Sequence, residues 1–105
     1  GEDSNPFKDD LNPSSIDLLS SYPNPFNQTT ILEMDLNVSG QVSLKIYNLN
    51  GQIIASLYDQ HLEVGRHRMV WNGNDMHGPA LPSGLYWARA TTPAQSKTIK
   101  LLLLR

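Results

Sequence analysis

Trp71-Asn72-Gly73-Asn74-Asp75-Met76-His77-Gly78, followed at 83–86 by Ser-Gly-Leu-Tyr, decides how this chain of 105 residues folds. It reads as a strand ending on a large aromatic, a glycine-rich surface loop, and a second strand opening with Gly-x-Tyr. Before the loop, His67, Met69 and Trp71 fall on one face and Arg68 and Val70 on the other. After it, Tyr86, Ala88 and Ala90 alternate with Leu85, Trp87 and Arg89. A period of two marks strands with one buried face, so Trp71 and Tyr86 are expected inward and Trp87 outward.

The same period recurs on both sides of this pair. Leu32, Met34 and Leu36 oppose Ile31, Glu33 and Asp35, and Val42, Leu44 and Ile46 oppose Ser43, Lys45 and Tyr47. Asn50-Gly51 marks a hairpin, because both residue types tolerate positive φ. Residues 52–58 then form the return strand, and 59–65 read as a loop. Residues 16–20 form a short first strand, and 96–105 the last, after the turn at Thr92-Pro93-Ala94-Gln95. In Tyr22-Pro23-Asn24-Pro25-Phe26 two prolines fix φ and remove two donors, which predicts a rigid bend rather than a ladder strand. Tyr22 and Phe26 are expected to pin that bend to the core. About seven strand-like runs with turn signals between them, and no stretch that supports a long helix, predict an all-β antiparallel sandwich.

Composition narrows the function classes. The formal net charge is −2, so no basic excess exists to neutralise phosphates, and nucleic acid is not an expected partner. The acidity is local: Glu2, Asp3, Asp9 and Asp10 against Lys8 make residues 1–15 a polar, acidic linker. Residues 16–105 form the folded domain. The chain has no cysteine, which removes disulfides, thiolate metal sites and a Cys nucleophile. The aliphatic run Leu101 to Leu104 is far short of the ~20 residues that span a bilayer. The chain starts at Gly1 without a signal-peptide pattern and reads as part of something longer or as a processed product.

No catalytic apparatus is legible. There is no nucleophile elbow and no phosphate loop, and Asp59, Glu63 and Asp75 lie in expected loops or turns rather than as a positioned acid pair. No enzyme activity, cofactor or metal is expected. His67 reads as a hydrogen-bonded core histidine rather than as a ligand grouped with Asp75 and His77. Asp75 is expected to gather two or three loop N–H groups and hold the loop's shape. Tyr47 and Trp87 share an outward assignment and leave open a polysaccharide-stacking role.

The order of motifs carries a resemblance. Tyr-Pro-Asn-Pro-Phe-Asn-x-Thr-Thr at 22–30, Val-Ser-Leu-Lys-Ile-Tyr-Asn-Leu-Asn-Gly at 42–51, Trp-Asn-Gly-Asn-Asp-x-x-Gly at 71–78, Ser-Gly-Leu-Tyr at 83–86 and Lys100 before an aliphatic run follow one another. Together they resemble the FlgD-like immunoglobulin-like domain, shared by the flagellar hook-cap protein and the type A C-terminal sorting domains of type IX secretion. The resemblance spans about 22–105. Gln28, where the family often has proline, and the less aromatic strand 87–91 depart from its pattern. The long loop at 71–78 is more typical of the hook-cap-like subtype.

The resemblance implies an immunoglobulin-like sandwich and a non-catalytic role. It implies a C-terminal module of a larger secreted bacterial protein, acting as sorting signal and cell-surface attachment domain. Arg105 directly after the last strand suits that position. The implied partners are the outer-membrane secretion machinery and an N-terminal cargo domain in the same polypeptide. The implied route is export through the periplasm to the cell surface or the medium. Tyr22, Pro23, Asn24, Pro25, Gly51, Trp71, Gly73, Asp75, Gly84 and Tyr86 are the motif and structural positions. Lys100, Leu101, Leu102, Leu103, Leu104 and Arg105 are the recognition candidates. Two other classes remain open: an accessory carbohydrate-binding or scaffold module of an extracellular enzyme, and a hook-cap-like assembly domain.

Overall fold

The computed structural model describes residues 15–105, and residues 1–14 of the expected linker lie outside them. Seven strands occupy the described residues: β1 (Ile16–Tyr22), β2 (Thr30–Leu36), β3 (Gly40–Tyr47), β4 (Ile53–Leu62), β5 (Gly65–Trp71), β6 (Gly84–Thr91) and β7 (Ser96–Leu103). They form a three-stranded sheet, β1-β2-β5, and a four-stranded sheet, β4-β3-β6-β7. All strand pairs are antiparallel. This is an immunoglobulin-like sandwich in which the fourth strand joins the second sheet instead of the first.

The alternation that predicts β2, β3 and β6 is the alternation that builds the core. Leu32, Met34, Leu36, Val42, Leu44, Ile46, Ala88 and Ala90 are all buried between the sheets. At one end of the sandwich the core is aromatic. Phe26 and Trp71 meet with ring centroids 5.6 Å apart, and Trp71 and Tyr86 meet edge-to-face at 5.8 Å. The Tyr86 hydroxyl donates to the carbonyl of Pro82 at 2.7 Å, the tyrosine corner that recurs at the start of the sixth strand in such sandwiches.

Three expectations need correction. Tyr22 faces solvent, at 78% exposure, while Phe26 alone pins the bend at 3%. The cause is a register shift between Ile16 and Leu18. The extra residue reverses parity, so Ile16 and Leu19 both point inward and Tyr22 points out.

The second correction is β4, which runs to Leu62 and leaves only Glu63 and Val64 before β5. Two register shifts against β3 break its alternation. Its far half, Asp59-Gln60-His61, is polar and exposed, yet it is paired with Ser43, Val42 and Gln41.

The third is the hairpin turn. Gly51 has φ +82°, but no non-glycine residue among those described has positive φ. The central residues are Leu49 and Asn50, closed by Gly51 N–H donating to the Asn48 carbonyl at 3.0 Å. This is a type I turn followed by a left-handed glycine. Asn48 supports it by accepting from the N–H of Asn50 at 2.9 Å and of Gln52 at 3.0 Å on Oδ1.

Candidate functional site

The bend and the last strand, far apart in sequence, are one structure. The Asn24 side-chain amide lies along the open edge of β7. Its Nδ2 donates to the Lys100 carbonyl at 2.8 Å, and its Oδ1 accepts from the Leu102 N–H at 3.0 Å. The backbone continues the pairing: Phe26 N–H donates to the Leu102 carbonyl at 3.0 Å, and Leu104 N–H to the Phe26 carbonyl at 2.8 Å. An open sheet edge carries unpaired backbone groups that invite another strand. Prolines at 23 and 25 cannot donate, so the asparagine amide between them supplies the missing pairing.

Thr30 holds the bend from the other side, its hydroxyl donating to the Pro23 carbonyl at 2.8 Å. Pro23, Pro25, Phe26, Asn27 and Leu104 line a shallow groove of about 420 Å³ beside this seam.

The expected recognition run is split by the pleat. Leu101 and Leu103 are fully buried, whereas Lys100, Leu104 and Arg105 are exposed and Leu102 is half-buried. Arg105 is nonetheless fastened. Its backbone N–H donates to the Ser83 hydroxyl at 2.7 Å, its Nε to the Leu81 carbonyl at 2.6 Å and its Nη2 to the Gly73 carbonyl at 2.8 Å. Gly73 has φ +73°, and a Cβ there would lie 2.7 Å from that Nη2. Both facts explain the glycine.

The loop from 72 to 83 is held mostly by carbonyls rather than by Asp75. Asp75 N–H bonds Pro79 O at 2.9 Å, Leu81 N–H bonds Gly73 O at 2.9 Å, and Met76 N–H bonds Ile54 O at 2.7 Å. Trp71 Nε1 donates to Asn74 O at 3.0 Å. The Asp75 carboxylate accepts from the His77 N–H at 2.7 Å, one N–H where the sequence suggests two or three. His67 lies within β5 opposite Met34, away from Asp75 and His77 in the loop. Its Nε2 donates to the Glu63 carbonyl at 2.7 Å. Among the described residues no group of three or more His, Asp or Glu side chains is arranged to hold a metal ion.

The outer faces of the two sheets differ in charge. On the three-stranded sheet, Arg66 grips Asp35 through Nε–Oδ1 at 2.6 Å and Nη2–Oδ2 at 2.9 Å, and Arg68 reaches Glu33 at 2.6 Å. The Arg66 guanidinium bonded to Asp35 holds that carboxyl below its ordinary value. On the four-stranded sheet, Tyr47 and Trp87 are register partners, as are Trp87 and Lys100. Lys100 Nζ sits 5.8 Å from the Trp87 ring.

The profile of the FlgD Ig-like domain family matches residues 23–96. The chain belongs to that family.

Three solved structures share its fold. Dimeric latent PorU from Porphyromonas gingivalis aligns over 82% of this chain and 9% of its own, with a TM-score of 0.63 and 17% identity. PorZ, an essential surface component of the type IX secretion system of the same organism, aligns over 83% and 11%, with a TM-score of 0.57 and 23% identity. FlgD from P. aeruginosa aligns over 71% and 60%, with a TM-score of 0.52 and 22% identity. At these identities the likeness is one of fold, and this FlgD Ig-like domain spans about a tenth of PorU and of PorZ. No curated protein matches it.

Some positions that hold this FlgD Ig-like domain together escape sequence reasoning. Ser15, at the expected linker boundary, is buried; its hydroxyl shares a hydrogen bond with Thr92 Oγ1 at 2.7 Å. The Ile16 N–H donates to Gln95 Oε1 at 2.9 Å. Thr92-Pro93-Ala94-Gln95 is legible as a turn, but nothing local shows that it fastens the start of β1.

Proposed function

We propose that this FlgD Ig-like domain is a non-catalytic module of a larger exported bacterial protein, serving as a sorting signal and surface-attachment domain at its C-terminal end. Its reader is the outer-membrane secretion machinery. The supporting observation is the seam at which Asn24 and Phe26 pair with Lys100, Leu102 and Leu104. The opening motif and the terminal run, both part of the resemblance, are thereby joined along one seam. Leu104 lines the Pro23–Pro25 groove beside it, and the exposed Lys100 side chain lies over Trp87. The fold shared with PorU and PorZ, where the aligned region is a small part of a much longer chain, supports a module working alongside other domains. The route this implies is through the periplasm to the surface or the medium, with the cargo on the N-terminal side.

The test is export. The full chain is fused to the C-terminus of a periplasm-targeted fluorescent reporter in a host with type IX secretion. Reporter should reach the surface or medium, and the double variant Lys100→Ser, Leu104→Ser, which changes only exposed side chains, should strand it in the periplasm. Periplasmic retention of the unmodified fusion, with the domain folded by protease resistance, would sink the reading.

A further inference from the structure

We infer that the outer face of the β4-β3-β6-β7 sheet is a binding surface for an acidic polysaccharide, in addition to the sorting role and sharing only Lys100 with it. Its centre is the cross-strand pair Tyr47 and Trp87, both half-buried on the outer face, with Lys100 Nζ lying over the Trp87 ring. Beside them Lys45 and Arg89 are register partners on neighbouring strands. Like charges placed directly opposite one another destabilise a sheet, and among the described residues neither has an acidic partner within ion-pair distance. Lys100, opposite Trp87 on β7, adds a third cation without one. The nearest acid along β4, Asp59, faces the next row and accepts from Gln41 Nε2 at 3.1 Å.

The contrast with the other sheet gives the surface its meaning. There, both arginines are matched to Glu33 and Asp35. Lys45, Arg89 and Lys100 therefore stand unneutralised on one face, beside its two aromatics. A pyranose ring offers an apolar C–H face to an aromatic side chain, and a carboxylate or phosphate on that sugar meets Lys45, Arg89 or Lys100 with charge-assisted hydrogen bonds. Tyr47, Gly51, Trp87, Arg89 and Thr98 enclose a depression of about 230 Å³, and the Thr98 hydroxyl supplies a neutral donor and acceptor at its rim. The face carries three cations rather than a continuous basic groove, which fits a stacked sugar chain better than a single-stranded nucleic acid.

Affinity gel electrophoresis of the full chain tests this, with polygalacturonate as the carboxylate polymer, a phosphomannan as the phosphate polymer and dextran as the neutral control. Retardation by either acidic polymer but not by dextran is expected, and which one retards identifies the anion. Trp87→Ala should weaken it about tenfold, as should the double variant Lys45→Gln, Arg89→Gln. The double variant changes only outward side chains, so it remains informative if Trp87→Ala melts early. Glu33→Gln, on the other sheet, should leave retardation unchanged. Absence of retardation by both acidic polymers overturns the inference. So does retardation insensitive to all three sheet-face substitutions, or stronger retention by poly(dT) than by either polysaccharide.

Discussion

Arg105 Nη2 donates to the carbonyl of Gly73, 32 positions earlier, at 2.8 Å, and the missing Cβ of Gly73 is what leaves room for it. The residue after the last strand and the loop after β5 are thus tied at one point. Gly73→Ala places a side chain at φ +73° and should cost about 1–2 kcal/mol, with a further loss from displacing the guanidinium. Arg105→Ala should cost about 1 kcal/mol. Because both remove the same bond, urea denaturation of the double variant should show less than the sum of the two, by about 0.5 kcal/mol or more. Strict additivity would mean the two residues do not interact.

Trp71 is the hub of the aromatic end, 2% exposed and touching both Phe26 and Tyr86. Trp71→Ala should destabilise the fold by about 3–5 kcal/mol. A midpoint in urea unchanged from the unmodified domain would contradict this placement.

Tyr86 links stability to alkaline pH. Its burial pushes the phenol above its usual value, against a smaller opposing effect of Arg105. A group whose folded-state pKa is raised contributes stability that is complete below the unfolded pKa, about 10. That contribution is lost as pH rises through the folded value. Tyr86→Phe should remove this alkaline loss while costing about 1 kcal/mol at neutral pH through the missing bond to Pro82. Equal slopes of stability against pH above 10 in the two proteins would refute the linkage.

Asp35 acts at the acid end. Its hydrogen bonds to Arg66 hold its carboxyl below the ordinary value, outweighing desolvation. The stabilisation it brings is therefore present above the unfolded carboxylate pKa and is lost as pH falls through the folded one. NMR titration should place the Asp35 midpoint below the ordinary aspartate value of about 3.9, and Arg66→Gln should move it upward. A midpoint indifferent to Arg66→Gln would mean the pair does not persist in solution.

Asn24 should be visible in amide exchange. Asn24→Ala removes the acceptor for the Leu102 N–H and the donor to Lys100 O, so Leu102 should exchange faster while Ala88 in the centre of the sheet does not. Asn24→Asp keeps the acceptor and should restore Leu102 protection in part. Unchanged Leu102 exchange in Asn24→Ala would show that the clamp carries no weight.

What the sequence makes legible is what period two encodes. The inward sets Leu32-Met34-Leu36, Val42-Leu44-Ile46 and Tyr86-Ala88-Ala90 are buried as their alternation requires. The outward neighbourhood of Tyr47 and Trp87 follows from the same rule. Alternation fails where a residue is inserted, because one bulge reverses every face beyond it, and Tyr22 is the result. It fails again at Asp59-Gln60-His61, whose polar edge position looks like loop. The clamp by Asn24 and the staple by Arg105 join positions more than thirty apart in the chain, and no local pattern announces such a pairing. Asn24 does carry a faint trace: a lone amide between two prolines has no ladder role of its own.

The fastening of Ser15 and Ile16 to Thr92 and Gln95 sets where the chain enters, at the pole where β7 begins. Arg105 leaves at the opposite pole, beside Gly73 and Ser83. A pull between these points runs along β1 and β7, across ladder bonds that lie perpendicular to the strands. The six residue pairs of β1 with β2 are then loaded together in shear rather than peeled one at a time. Pulled between Ser15 and Arg105, the domain would behave as a tension member, held by whole ladders at once.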